Sequence, residues 1–435
     1  MTVTLIAVLA LFGTFLLLLA LGVPISIGII VASFVTGLIL LPWADTTYIV
    51  GQQMNMGVES FSLLAVPLFI LAGNIMNNGG IARRLIDLAL VLAGRVPGSL
   101  AHTNVLANML FGSLSGSAVA SAAAIGGTLH RRQRDEGYDP AYSTAVNIAS
   151  ASVGLLIPPT TAAIIYSTVA GGVSVSALFM AGYVPGILMG LVVMALALVL
   201  ARRRGYRSSR LVGLREGGAV LWRALPSLLL VVVVVGGIVS GVFTATEGAA
   251  VAVVYCLVLS LIYRSLDREA LTQIVRRTVG STGVVMLLIA ASSAMAWVMA
   301  YSGIPSAITD TLLATTDSPV LILALMLVIL LAVGTFLDIT PAILIFTPIF
   351  LPIATSLGMD PVHFGMVLIL SMCIRTMTPP VGSVLFVATG VSGTSIEAVV
   401  PRLLPFLLGL IALLLLVTYV PVLSLGIPGM MGLLG

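Results

Sequence analysis

Gly154-Leu155-Leu156-Ile157-Pro158-Pro159-Thr160 interrupts a long apolar run, and Thr378-Pro379-Pro380-Val381-Gly382 interrupts another, its prolines 221 residues further on. One double proline in an apolar run reads as a kink. Two in register read as an internal repeat, and other pairs keep step with them. Gly80-Ile81 and Asp87 recur as Gly303-Ile304 and Asp310 at an offset of 223, and Gly112-Ser113 recurs as Gly334-Thr335 at 222. Beyond the prolines, Thr168, Gly172, Ser174 and Ala177 match Thr389, Gly393, Ser395 and Ala398 at 221. Proline removes a backbone donor and leaves preceding carbonyls unpaired. Inside a bilayer such backbone survives only where it is buried in protein or lines a cavity.

Composition places the repeat in a bilayer. The 435 residues are 60% hydrophobic and 8% charged, where a soluble domain carries about a quarter charged. A soluble enzyme, a nucleic-acid partner and a disordered chain are excluded. Continuous apolar runs such as 228–239 also exclude an outer-membrane barrel, whose strands alternate. The two cysteines, Cys256 and Cys373, lie in apolar runs and suggest neither a disulfide nor a metal site. No Arg precedes Arg83, so residues 4–21 lack the basic start of a signal peptide and read as a retained first span.

The 19 basic residues are all Arg, a coding bias without mechanistic meaning, and nearly all are clustered: 83–95, 131–134, 202–223 and 264–277. Arg-rich loops stay cytoplasmic. The run 101–127 then starts and ends inside, so it reads as a re-entrant hairpin with its tip at Gly112–Ser117. Its counterpart, 319–356, starts and ends outside, with its tip at Gly334–Pro341. The acidic but Arg-free stretches 43–59, 302–318 and 357–362 are assigned as outside loops. Each half then has five full spans and one hairpin, and an odd number inverts the second half relative to the first.

The expected fold is an all-α polytopic membrane protein with about ten to eleven transmembrane helices plus two re-entrant hairpins in two inverted repeats. The first repeat covers 1–205, with scaffold spans, an arm helix, the inner hairpin and a broken helix at 144–171. A cytoplasmic connector covers 206–221. The second repeat covers 222–435, with scaffold spans, the outer hairpin and a broken helix at 363–389. Inverted repeats with broken helices are the signature of secondary transporters, with the site near the midplane.

The breaks carry the chemistry. Carbonyls together with Ser and Thr hydroxyls are hard oxygen ligands suited to a small hard cation. Each helix that restarts after a break turns a positive N-terminus toward the same spot, which suits an anion. Close packing of small residues is the competing reading of Ser113–Ser117. Two charges fall at midplane depth, Asp338 and Arg375, where ionisable groups are functional by default. Asp338 reads as a stabiliser of the hairpin tip or of a cation. Arg375 can meet a substrate carboxylate bidentately or pair with Asp338, and both readings stay open. His102, His130 and His363 lie at span edges, away from any proton relay. Many hydroxyls and few buried acids favour Na⁺ over H⁺ coupling.

At this point the chain resembles a known family, the large membrane subunit (DctM-like, M subunit) of tripartite ATP-independent periplasmic (TRAP) transporters. The resemblance runs almost end to end. It rests on Pro67-Leu68-Phe69-Ile70-Leu71-Ala72-Gly73, Gly79-Gly80-Ile81-Ala82-Arg83-Arg84-Leu85, Ser115-Gly116-Ser117-Ala118-Val119-Ala120, Gly137-Tyr138-Asp139, Ile157-Pro158-Pro159, Leu178-Phe179 with Pro185-Gly186, and Thr378-Pro379-Pro380-Val381-Gly382. It implies an elevator-type fold of the ion-transporter superfamily and Na⁺-driven import of an organic acid across the bacterial inner membrane. It also implies a small four-helix membrane partner (Q type) and a periplasmic substrate-binding protein (P type). Two or more Na⁺ ions are implied. One site would use Ser113, Gly154, Ile157 and Pro159 with Ser115 or Ser117. The other would use Gly334, Arg375, Thr378 and Val381 with Thr335. Substrate binding would fall to Arg375, Ser117, Thr160, Asp338 and Gly382. Arg375 departs from the small or apolar residue the resemblance leads one to expect, Ser121 stands where an acid is common, and Thr160 replaces a Ser.

A stand-alone dicarboxylate/Na⁺ symporter of the same superfamily is the alternative within transport. An intramembrane enzyme is a remote one. Ser113-Leu114-Ser115-Gly116 resembles a membrane serine-protease motif, but Ser113 stands where that motif needs Gly, and no His lies at matching depth. A passive channel is a third alternative, insensitive to a Na⁺ gradient.

Overall fold

The computed structural model describes residues 2–78, 81–94, 96–206, 214–316, 318–334, 337–379 and 382–434, and every regular element among them is helical. Before the connector come α1 (Thr2–Ala20), α2 (Ile25–Leu40), α3 (Trp43–Val58), α4 (Ala65–Asn78), α5 (Ile81–Ala93), α6 (Ser99–Ser115), α7 (Ala118–Asp135), α8 (Pro140–Ala151), α9 (Thr161–Val169) and α10 (Val175–Arg203). After it come α11 (Leu214–Val239), α12 (Ala245–Ile262), α13 (Arg268–Tyr301), α14 (Ile304–Thr315), α15 (Pro319–Gly334), α16 (Ile339–Ser356), α17 (Pro361–Arg375), α18 (Ser383–Ser392), α19 (Ile396–Tyr419) and α20 (Val422–Met430). Of the connector 206–221, residues 207–213 lie outside the described residues, and α11 already begins at Leu214 within it.

Helices on either side of the connector begin alike. Asp139-Pro140 starts α8 and Asp360-Pro361 starts α17, each Asp accepting from a backbone N–H of the first turn while Pro fills a position that needs no donor. Ser174 caps α10 and Ser395 caps α19 in the same way.

The chain is a polytopic all-α membrane protein. Among the described residues seven helices (α1, α10, α11, α12, α13, α16 and α19) are long and apolar enough to cross a bilayer, and α3 with α4 makes an eighth if that bent pair is one span. This is fewer than the ten or more spans expected, for a physical reason. The breaks divide apolar runs into shorter helices such as α15, α17 and α18. A 16-residue helix such as α2 reaches only about 24 Å of a hydrocarbon core about 30 Å thick.

Two assignments are corrected. Residues 43–59 and 302–318 are not loops, because α3 and α14 occupy most of them. In α3 the polar Gln52, Gln53 and Asn55 break up the apolar run that would have marked a span, yet the helix persists by packing against α13 and α2. Between α3 and α4 the chain bends by 60° around Glu59-Ser60.

The outer surface, not only the core, is rich in apolar side chains. α8 and α17, the first parts of the two broken helices, are buried on every side. α1, α11 and α19 expose large apolar side chains such as Leu9, Trp222, Val232 and Leu408, a surface suited to lipid tails. Small residues make the buried positions possible: α8 reads Ala-Tyr-Ser-Thr-Ala-Val-Asn-Ile-Ala-Ser-Ala after its proline, which lets neighbouring backbones approach closely.

One carboxylate ties three helices at the start of α8. Asp139 Oδ2 accepts from Arg204 Nη1, just past α10, and from Arg402 Nε of α19, both at 2.7 Å. Its backbone N–H donates to the Tyr206 hydroxyl at 2.9 Å, and Tyr206 stacks on Tyr138 at 4.2 Å. Partial burial pushes the Asp139 carboxyl up, but the two arginines outweigh it and hold it at about 2, below its ordinary 3.8. A depressed carboxyl stabilises the fold above the unfolded-state value and loses that contribution as the pH falls through the folded one. The melting temperature of the purified chain is therefore expected to drop between about pH 4 and pH 2, and Asp139→Asn is expected to flatten that part of the profile. An unchanged slope in the variant would show that Asp139 does not carry the effect.

Candidate functional site

The hairpin expected within 101–127 is formed by α6 and α7. Gly116 makes the turn in the left-handed region at φ 62°, and its N–H donates to the Gly112 carbonyl at 2.9 Å. Ser117 then caps α7, its hydroxyl accepting from Ala120 N at 3.2 Å. A buried amide network holds the hairpin to α8. Asn108 Nδ2 donates to Asn104 Oδ1 (2.7 Å), Asn147 Oδ1 (3.1 Å) and Ser150 Oγ (2.8 Å). The Ser121 hydroxyl donates to Asn108 Oδ1 at 2.6 Å.

The first broken helix meets this hairpin backbone to backbone. A Cβ at Gly112 would stand 2.9 Å from Gly154 Cα, and one at Gly154 would stand 2.6 Å from Ser113 N. Ser113 and Gly154, expected in one site, are thus in contact, with the Ser113 hydroxyl donating to Leu110 O at 3.0 Å. Val153–Leu155 forms a single 3₁₀ turn, the Pro158–Pro159 bond is cis, and Thr160 caps α9 by accepting from Ala162 N at 3.2 Å. Neither proline has an N–H to give, and among the described residues no loop N–H donates to the Ile157 or Pro159 carbonyl. Ile157 packs on Gly186 of α10, where a Cβ would come within 2.7 Å of its Cγ1.

The second break follows α17. Thr378 N donates to Arg375 O at 2.8 Å and Gly382 N to Thr378 O at 3.1 Å, so both expected carbonyls already accept a bond. The Thr378 hydroxyl donates to Ile374 O at 3.0 Å. Gly382 is required by closeness, since a Cβ there would lie 2.7 Å from Thr376 O. Gly334 ends α15, while Thr335 and Val381 lie outside the described residues. The two breaks touch: the hydroxyls of Ser152 and Thr376 are 2.6 Å apart.

Arg375 is 2% exposed, and its Nη2 lies 3.7 Å from Asp338 Oδ1 at the start of α16. The Asp338 side chain is 66% exposed. The guanidinium Nε and Nη2 make no hydrogen bond among the described residues. Of the two readings of Arg375, the structure displays the ion pair.

These elements line a partly open cavity of about 310 Å³. Its wall takes in the N-terminal turns of four helices, two from each side of the connector: Ser117–Ala120 before and into α7, Thr161 and Ala162 of α9, Asp338–Thr340 at α16, and Ser383 of α18. α4 contributes Asn74 and Asn77, and α13 contributes Ser281. Of the expected residues, Ser115, Ser117 and Asp338 line the cavity, whereas Ser113, Gly154, Ile157, Pro159, Thr160, Arg375, Thr378 and Gly382 are not on its wall. Asn74, Asn77, Ser281, Thr340, Thr376 and Ser383 were not foreseen. Asn74 and Asn77, three apart in an apolar helix and so on one face, carried a readable signal. Ser281 carried none. The Ser115 and Ser383 hydroxyls are buried and have no hydrogen-bond partner among the described residues. Among the described residues no cluster of three His, Cys, Asp or Glu is placed to hold a metal ion.

Comparison with known proteins agrees with this architecture. Residues 12–423 match the family model for the tripartite ATP-independent periplasmic transporter, DctM component. The chain is 49% identical to the uncharacterized protein YgiK of Salmonella typhimurium, over 97% of each chain. It is 35% identical to the sialic acid TRAP transporter large permease protein SiaM of Vibrio cholerae, over 96% of this chain and 97% of that one. The solved YdaH transporter of Alcanivorax borkumensis, described as having an unusual topology, superposes with a TM-score of 0.60 at 17% identity, covering 86% of this chain and 88% of that chain. At that identity the likeness speaks for the fold.

Proposed function

We propose, for a chain that belongs to the DctM-component family of tripartite ATP-independent periplasmic transporters, that it is the Na⁺-coupled import path for an organic acid and that the 310 Å³ cavity is where the acid sits. The family is one of permeases, so the chain is a transport component rather than an enzyme. The observation that carries the reading is the meeting of four helix N-termini at one cavity. Each N-terminus presents about half a positive charge, and together they favour a carboxylate at the cavity.

The breaks supply the oxygen atoms for Na⁺. The first set comprises Ser113, Gly154, Ile157 and Pro159 with Ser115 or Ser117. The second comprises Gly334, Arg375, Thr378 and Val381 with Thr335. Unclaimed proline-adjacent carbonyls at Ile157 and Pro159 support the first set. Substrate contact falls to Ser117 and Asp338 on the wall, with Thr160, Arg375 and Gly382 holding the wall in shape. A domain carrying the two hairpins and both breaks moves as an elevator against a scaffold. In that motion the Ser152–Thr376 contact keeps the two breaks together. The chain sits in the bacterial inner membrane with its central connector cytoplasmic, and works with a small four-helix subunit and a periplasmic binding protein. SiaM carries sialic acid by name, which supports an organic acid here.

The test is uptake of a panel of radiolabelled organic acids into proteoliposomes holding this chain, its small membrane subunit and its binding protein. An inward Na⁺ gradient is expected to drive accumulation, and collapsing it is expected to abolish accumulation. Uptake that ignores the gradient would favour a passive channel, and full uptake without the binding protein would favour a stand-alone symporter.

A further inference from the structure

We propose that an anionic phospholipid binds where α5 begins against the end of α12, its phosphate held by Arg83, Arg84 and Arg264 and an acyl chain laid along α12. Arg84 stacks its guanidinium on the Tyr263 ring, 3.2 Å from the centroid, which brings the first turn of α5 to the last residues of α12. Arg83 precedes Arg84 and Arg264 follows Tyr263, so three cations share one corner of the molecule. Arg83 and Arg264 are exposed, and none of the three makes an ion pair among the described residues. Arg268 adds a fourth cation in the first turn of α13. The acids nearest in sequence do not neutralise them. Asp87, one turn further along α5, pairs with none of the four. Asp267 is occupied as the cap of α13, accepting from Ala270 N at 2.7 Å, and Glu269 accepts from Gln273 Nε2 at 3.5 Å. The first turn of α5 holds two arginines and no acid, the wrong sign for the positive end of a helix dipole. A bound phosphate offsets that repulsion. Stacking uses the face of the Arg84 guanidinium and leaves its N–H edge to donate to phosphate oxygens.

The apolar half of the site is on α12. Val254, Val258, Leu261 and Ile262 are exposed at spacings that put them on one face, and this stripe ends two residues before Arg264. Residues 254–262 cover about 12 Å of helix, most of the depth of one leaflet of a hydrocarbon core about 30 Å thick. A free phosphate would use the arginines alone, whereas a phospholipid uses the arginines and the stripe together. Arg264 also separates charge from fold. It closes α12 in the left-handed region at φ 52°, with its N–H donating to Leu261 O at 3.0 Å and Ser265 N to Ser260 O at 3.1 Å. Glycine is the usual residue in such a turn, so Arg264→Gly removes the guanidinium while easing the backbone.

The experiment follows thermal melting of the purified full-length chain in a neutral detergent, titrated with dioleoyl phosphatidylglycerol, dioleoyl phosphatidylcholine or glycerol 3-phosphate. Phosphatidylglycerol is expected to raise the melting temperature saturably, with a midpoint at least about tenfold below that of phosphatidylcholine. Glycerol 3-phosphate, which carries the phosphate without the chains, is expected to have no effect at the same concentration. Arg264→Gly and Arg83→Gln are each expected to weaken the phosphatidylglycerol response about 5-fold, and the double variant about 25-fold. The lipid-free melting temperature of Arg264→Gly is expected to be no lower than that of the wild type, so its loss of response is not a loss of fold, and it carries the test if Arg83→Gln does not fold. Arg131→Gln, which removes an exposed arginine near the end of α7, is the control and is expected to leave the response unchanged. An equal response to phosphatidylcholine overturns the proposal, as does an equal loss in Arg131→Gln, which would reduce the corner to part of a general basic rim. Stabilisation by glycerol 3-phosphate as strong as that by phosphatidylglycerol overturns the lipid in favour of a soluble phosphate.

Discussion

Gly154→Ala is expected to reduce transport to background while the chain still inserts in the membrane. The added methyl would stand 2.6 Å from Ser113 N and overlap the Gly112 backbone. Backbone cannot move aside by changing rotamer, so the inner hairpin and the first broken helix must part. Overpacking of this kind typically costs about 1–3 kcal/mol, and here the strain falls on the joint that places Ser115 and Ser117 on the cavity wall. Gly390→Ala is the matched control. Gly390 lies in α18 beyond the second break, and a Cβ there meets nothing within 4 Å. Replacing an unconstrained helical glycine stabilises by roughly 0.5–1 kcal/mol. Uptake and thermal melting of both variants decide the matter: wild-type transport by Gly154→Ala would remove the backbone contact from the mechanism.

Arg375→Met is expected to raise the KM for acid uptake by roughly 30-fold, about 2 kcal/mol, with little loss of fold stability. Replacing a buried cation with an apolar chain of similar length is often neutral or stabilising, and Asp338 at 66% exposed remains solvated when its partner goes. Left uncompensated, the Asp338 charge then faces the arriving carboxylate across the same cavity. Restoration of most of the affinity in the double variant Arg375→Met/Asp338→Asn is the informative result, because simple damage at Arg375 would not be repaired by a second change. Additive losses in the double variant would show that the pair does not act through its charges.

Much of this was legible in the residues. Paired prolines in register marked both breaks, and glycines next to serines marked the inner hairpin tip. Asp338 and Arg375, the two charges expected at midplane depth, face each other at 3.7 Å. The aspects that stayed hidden share a physical cause. α3 and α14 are only partly apolar, and a reading keyed to long apolar runs passes over helices whose stability comes from packing on neighbours. Ser281 is one of several hydroxyl residues in α13, beside Thr278, Thr282, Ser292 and Ser293, and acquires meaning only because that part of α13 reaches the cavity wall. Thr376 was obscured by its neighbour, the charged Arg375, although Thr376 both reaches Ser152 and lines the cavity. Thr335 and Val381 lie outside the described residues, and their part in a second Na⁺ site remains a proposal.

The 60° bend at Glu59-Ser60 has a consequence for energetics. Residues 43–78 stand where a shift of 222 would place 265–300, yet the first segment is jointed and the second is the single 34-residue rod α13. Two halves of identical build, related by inversion, would make the open-inside and open-outside conformations degenerate, each being the other turned over. A joint present in one half and missing from the other lifts that degeneracy. On the elevator mechanism proposed above, the resting population is then expected to be biased toward one side of the membrane before any ion or acid arrives, with ligands acting on that bias rather than creating it.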